Sequence, residues 1–157
     1  MKARDLAVPY PTVRSDAPAA DAARLLTGLG RPALVVVDEH EHPIAILPAS
    51  QVLRLVIPRY IQDDPALARV VDEAFADHMC DVLAGKTVAE LLPDNGPSLM
   101  VIEPDDNAIE IAAIMAGNRS PLVAVVDGKG DKAPMIGVVT VASLLSELLP
   151  ERITDPS

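Results

Sequence analysis

The side chains able to do chemistry are few, and their spacing is poor for catalysis. Two of the three histidines fall in one acid-rich run, Asp38-Glu39-His40-Glu41-His42. Imidazole and carboxylate at alternating positions are acceptable ligands for a divalent metal. A turn between two buried strands must be polar in any case, and the comparable turn later in the chain, Gly128-Lys129-Gly130-Asp131-Lys132, carries no ligand chemistry. The run therefore reads first as a solvated turn. His78 and Cys80 stand two apart in a helical pattern, which points them to different sides. As the only cysteine, Cys80 excludes an internal disulfide framework or a cysteine zinc site and reads as a small apolar residue. Gly128-Lys129-Gly130 lacks the glycine spacing and the following Lys-Ser/Thr of a phosphate loop. No nucleophile elbow, Ser/His/Asp set, zinc helix or dinucleotide fingerprint can be drawn from these residues, so no enzyme is expected.

Charge and composition narrow the partners. With 13 Lys+Arg against 23 Asp+Glu the formal charge is -10, and half of the 157 residues are hydrophobic. Neutralising a phosphate backbone takes clustered cations, whereas these are scattered. Two Tyr, one Phe and no Trp offer no stacking platform for single-stranded bases, so nucleic acid is not an expected partner. The longest uncharged stretch, Ala133 to Ser146, spans 14 residues, short of the roughly 20 that a membrane helix needs. Direct membrane insertion is not expected. The N-terminal Met1-Lys2-Ala3-Arg4-Asp5 has no apolar signal core, and the single cysteine suits a reducing, cytoplasmic location.

The elements that position the polar residues come as a tandem duplication. Asp16 to Asp38 lies on Asp105 to Asp127 without a gap, and eight of 23 positions are identical. The match resumes as Ala45 to Leu53 over Gly137 to Leu145. Each copy opens with a short β-branched segment (Thr12-Val13; Val101-Ile102) and an Asp able to cap a helix. A helix with apolar residues at three- and four-residue spacing follows, running Ala19, Ala22, Ala23, Leu26 in one copy and Ala108, Ile111, Ala112, Met115 in the other. The unbroken runs Leu34-Val35-Val36-Val37 and Val123-Ala124-Val125-Val126 fit strands covered on both faces. Return strands over Ile44 to Leu47 and Met135 to Val139, and a helix from near Ser50 or Ala142, complete a β-α-β-β-α unit twice.

The linear division is a first repeat over 1–53, a connector over 54–85, a second repeat over 86–149 and a C-terminal tail over 150–157. In the connector, Asp63-Asp64-Pro65 starts a helix whose apolar stripe runs through Leu67, Val70, Val71, Ala74, Phe75, His78, Met79 and Val82. Such a helix covers a core face, makes a dimer contact or docks a partner.

Three stretches carry a resemblance: Arg31 to Asp38, Asn118 to Asp127, and Gly137 to Leu145. They resemble the "Pro, hydrophobic strand, Asp" and "Gly, two hydrophobics, Ser/Thr" signatures of the CBS (cystathionine β-synthase) domain, and their ordered recurrence is similar to a tandem CBS pair, or Bateman module. The resemblance implies an α+β fold of two repeats packed about a pseudo-twofold axis, with a helical connector between them. It also implies clefts for adenosine-containing ligands such as AMP, ADP, ATP or S-adenosylmethionine, and a homodimer that regulates a separately encoded transporter, channel or enzyme.

Family roles carry over to this chain only in part. In the second repeat Thr140 fills the Ser/Thr place that contacts ribose, Gly137 opens the motif, and Arg119 holds the phosphate-reaching place. Ser143 stands where the ribose Asp belongs. In the first repeat Pro48 replaces the Ser/Thr, Gln51 replaces the Asp, and Gly30 occupies the Arg place. A charge-assisted hydrogen bond contributes about 1.5–3 kcal/mol, so its loss weakens binding roughly 10- to 150-fold. The expectation is a nucleotide sensor using the second repeat. Its alternative is a dimerisation or docking adaptor with degenerate nucleotide sites and no ligand.

Overall fold

The structure is a computed structural model that describes residues 1–30, 33–57, 61, 63–66, 81–92, 99–118, 120–130 and 132–149. In chain order the elements are α1 (Ala3–Leu6), β1 (Thr12–Arg14), α2 (Ala19–Leu29), β2 (Ala33–Val37), β3 (Pro43–Pro48), α3 (Ala49–Val56), α4 (Val88–Leu91), β4 (Val101–Ile102), α5 (Ala108–Asn118), β5 (Leu122–Val126), β6 (Met135–Thr140) and α6 (Val141–Leu148). Two three-stranded sheets result, ordered β1-β2-β3 and β4-β5-β6, in an α+β fold of two repeats.

In each sheet the unbroken apolar run takes the centre, because only there are both faces of a strand covered. Leu34 to Val37 and Leu122 to Val126 are buried throughout. The first strand of each repeat runs parallel to the central one, Val13 beside Val36 and Ile102 beside Val125. β5 and β6 are antiparallel, with an irregularity at Val125/Val126 where the partner skips from Gly137 to Met135.

One local expectation is corrected. Asp16 and Asp105 do not cap α2 and α5, because a turn intervenes and the helices start at Ala19 and Ala108. Asp16 instead pairs with Arg14 at 2.8 Å, while Asp105 pairs with Arg4 and Lys2. The Asn107 side chain caps α5, accepting from the amides of Ile109 and Glu110 at 3.0 and 2.9 Å. Pro18 precedes α2 with no side-chain acceptor. α2 ends at Gly30, whose φ of 62° is the left-handed conformation common after a helix. The connector stripe from Leu67 to Met79 lies outside the described residues.

Packing divides the chain into two units that cut across the linear repeats. One unit joins Met1–Tyr10 and Glu39–Pro43 to the chain from Leu99 onward; the other joins Pro11–Asp38 to Ile44–Ser98. In the first of these, α1 buries Ala3 and Leu6 among Ile102, Ile111, Val123, Val125 and Val139. Backbone bonds hold it there: Ala3 donates to Asp106, Arg4 to Pro104, and Ala108 to Met1. Beyond α1, Val8 and Val138 exchange both of their backbone bonds, which extends the sheet past β6. Within the same unit the Glu41 carbonyl accepts from Met135 at 3.1 Å, and a His42 ring nitrogen lies 2.8 Å from the Ala133 carbonyl.

The other unit repeats the device with α4. Val88 and Leu91 are fully buried among Val13, Ala22, Leu34, Val36 and Leu47. Here Val88 donates to Ala17, Ala89 to Ser15, and Ala19 to Lys86. A single helical turn is not stable alone in water, so each of these helices exists because its two apolar side chains fill a core. Their sequences agree with that role: Ala3 and Leu6 on one side match Val88 and Leu91 on the other.

Candidate functional site

The two strand-to-helix junctions, β6 to α6 and β3 to α3, hold five of the six residues singled out by sequence. The sixth, Arg119, lies outside the described residues. At the second-repeat junction Thr140 is at once the last residue of β6 and the N-cap of α6. Its Oγ1 accepts the Ser143 amide at 3.1 Å and shares a hydrogen bond with Ser143 Oγ at 2.8 Å. Thr at this place has the extended backbone of an N-cap, and its hydroxyl satisfies an amide that the helix itself leaves without a partner. The Val141 amide donates to the Pro121 carbonyl at 3.2 Å, which ties the first turn of α6 to the loop before β5. Ser120 fixes that loop, its hydroxyl donating to Leu122 at 2.6 Å and its amide to Met115 at 3.1 Å. Both Thr140 and Ser143 are half-buried.

Gly137, three residues before Thr140, faces the chain itself. A Cβ there would stand 3.0 Å from the Val8 carbonyl oxygen and 3.1 Å from Ala7 Cβ. Glycine permits the Val8 bridge to approach β6.

At the first-repeat junction Pro48 is the N-cap of α3 and supplies no side-chain acceptor. Gln51, half-buried, donates from Nε2 to the Leu91 carbonyl at 3.1 Å. The structure thus brings Thr140 to Ser143 and turns Gln51 toward α4.

Chemically, the described residues of the second-repeat junction offer two hydroxyls. They can exchange hydrogen bonds with a ligand hydroxyl but cannot act as acid or base near neutrality. Among the described residues no three His, Cys, Asp or Glu side chains come together as a metal site. In the acid-rich run His40 pairs with Glu39 at 3.3 Å; His78 and Cys80 lie outside the described residues. Among the described residues the shifted carboxyl is Asp105, held below the usual carboxylate range by the hydrogen bond and charge of Arg4, with Lys2 adding to it. It secures α1 and takes no part in the junction. Among the described residues no helix is long and apolar enough to cross a membrane.

Sequence reasoning missed one feature beside the site, an open apolar groove of about 470 Å³ between α5 and α6, lined by Ala112, Met115, Ala116, Leu144, Leu145 and Leu148. The signal for it was present, since Val141, Leu144, Leu145 and Leu148 recur at helical spacing over two turns. It also missed α1 and α4, although Lys2 with Asp5 and Thr87 with Glu90 have the three-residue spacing of a helix start. In both, the acidic side chain accepts from the first residue's amide, at 3.1 and 3.5 Å.

The model of the CBS domain matches residues 3–58 and 90–150. The chain belongs to the CBS domain family. A CBS domain-containing protein of Kribbella flavida is 46% identical with a TM-score of 0.86, the match covering 96% of this chain and 99% of that one. The CBS domain of a CBS domain-containing membrane protein from Sphaerobacter thermophilus is 26% identical with a TM-score of 0.71, covering 95% and 88%. CBSX2, solved in complex with AMP, shares 17% identity and the fold, with a TM-score of 0.63 over 94% of this chain and 95% of that one. No curated protein matches the chain. The matched segments take in both junctions, so the departures at Pro48, Gln51 and Ser143 are features of a CBS pair.

Proposed function

We propose that this CBS pair is a non-enzymatic regulatory module that binds an adenine nucleotide or related adenosyl ligand beside the β6–α6 junction and passes the binding signal to a partner protein. The observation that carries the reading is the Thr140–Ser143 hydroxyl pair, two donors and acceptors at the positions to which the family resemblance gives the ribose contact. The AMP complex of CBSX2 supports the ligand class. In this reading Arg119 reaches the phosphate, the module works as a cytoplasmic homodimer, and its client is a separately encoded transporter, channel or enzyme. Signalling requires that the ligand bind one arrangement of the module more tightly than another, because equal affinities shift nothing.

Isothermal titration calorimetry with AMP, ADP, ATP and S-adenosylmethionine tests the proposal. Micromolar binding is expected for at least one of them. Thr140→Val is expected to weaken it about tenfold, while loss of the cap costs about 1 kcal/mol of stability. Arg119→Ala should weaken the phosphorylated ligands more than S-adenosylmethionine. Silence across the panel at millimolar ligand would overturn the sensor and favour the adaptor. That second reading draws its support from Pro48 and Gln51, which stand in place of the family's ribose-contacting Ser/Thr and Asp, and from the exposed Val141, Leu145 and Leu148 beside the α5–α6 groove.

A further inference from the structure

We infer that Gln51 is an internal clamp on α4 and not a ligand contact, so that the adenosyl ligand is held on the second-repeat side alone; this rests on the nucleotide reading above. A single turn such as α4 leaves its carbonyls without intrahelical donors. Its N-terminal amides are engaged, Val88 with Ala17 and Ala89 with Ser15. At its other end the Leu91 carbonyl receives the Gln51 side-chain amide at 3.1 Å. The donor comes from the first turn of α3, so the bond joins α3 to α4 across the first-repeat core that Val52, Val88 and Leu91 share.

The two junctions explain why this residue type suits the task. Pro48 gives α3 no side-chain acceptor, so the capping residue does not compete for the Gln51 side-chain amide. Ser143 occupies the matching place in α6 and folds back onto Thr140. A serine is too short to span from one helix to another, whereas glutamine carries a donor at the end of a side chain two carbons longer. The first-repeat position is thereby committed to architecture.

Gln51→Met tests this, since methionine keeps the length and apolar stem and removes the donor. Hydrogen exchange in the peptide covering residues 86–92 is expected to quicken several-fold in Gln51→Met and in Gln51→Ala, with peptides from 99–126 unchanged. The melting temperature should fall by about 3 °C. AMP affinity, measured by calorimetry on the same full-length proteins, should stay within twofold of the wild type. Unchanged exchange in Gln51→Met would overturn the clamp. A tenfold loss of AMP affinity in that variant would make Gln51 a ligand contact and overturn the one-sided assignment. If AMP fails to bind the wild type, the nucleotide reading falls and the assignment of ligand to one side falls with it, while exchange still decides the clamp.

Discussion

The junctions Pro48-Ala49 and Thr140-Val141 have one backbone plan and different bonds. In both, an extended residue ends a strand and caps an eight-residue helix, and a valine or leucine four residues further in, Val52 or Leu144, is buried in the core of its unit. At Thr140 the polar groups bond within the helix start; at Pro48 the polar group of Gln51 bonds out to α4. What the two junctions keep in common is an apolar frame. Their polar positions diverged, because an exposed or half-buried hydrogen bond contributes only about 0.5–1.5 kcal/mol net, whereas truncating a buried leucine costs about 2–5 kcal/mol.

The largest expected effects come from breaking the parallel between α1 and α4. Leu6→Ala and Leu91→Ala each remove a side chain that fills a core, Leu6 being 5% and Leu91 0% exposed. Each should cost about 2–5 kcal/mol in urea unfolding. The comparison is sharpened by where the damage falls. Leu91→Ala should speed hydrogen exchange in 11–56, and Leu6→Ala in 99–149, although Leu6 falls within the first repeat in the linear division. Faster exchange in 11–56 after Leu6→Ala would refute the assignment of α1 to the later repeat.

A middle-sized effect separates Gly137 from Ala45, the residues matched by the repeat. Ala45 packs its side chain against the first-repeat core, while a Cβ at Gly137 meets the Val8 carbonyl at 3.0 Å. Gly137→Ala must push the Val8 bridge away, at about 1–3 kcal/mol by the usual cost of overpacking. Protection of the Val8 and Val138 amides should fall in parallel. Stability equal to wild type would mean that the N-terminal segment yields freely and that the glycine has another purpose.

The same contrast explains what could be read from residues alone. Eight identities in 23 positions and two unbroken apolar runs are enough to place the strands and helices, because burial on both faces writes itself into consecutive residues such as Leu34-Val35-Val36-Val37. The short helices are hard to see, since four residues carry too little periodicity and α1 owes its place to a core more than 90 residues away. Gln51 illustrates the limit at the site. Its type suggests a weak substitute for a carboxylate, and only the position of Leu91 reveals its partner. Gly137 is similar: the family motif gives it no packing partner, and only the fold shows Val8 beside it.

The smallest effect compares the matched acids Asp16 and Asp105, which keep different company. Asp16 bonds Arg14 within its own loop, and Asp105 bonds Arg4 and Lys2 from the N-terminal segment. Arg4 lowers the Asp105 carboxyl below its value in the unfolded chain. A group depressed in this way adds stability in full above its unfolded pKa and loses it as pH falls through the folded one. Asp105→Asn should therefore lower the melting temperature slightly at pH 7, with the gap to wild type closing as pH falls from about 4. Because the group is exposed, added salt should shrink the gap as well. Melting curves of the two proteins at several pH values and two salt concentrations provide the check. A gap that widens toward acid would mean that the ion pair opposes the docking of α1, and the N-terminal segment would then be held by Ala3, Leu6 and its backbone bonds alone.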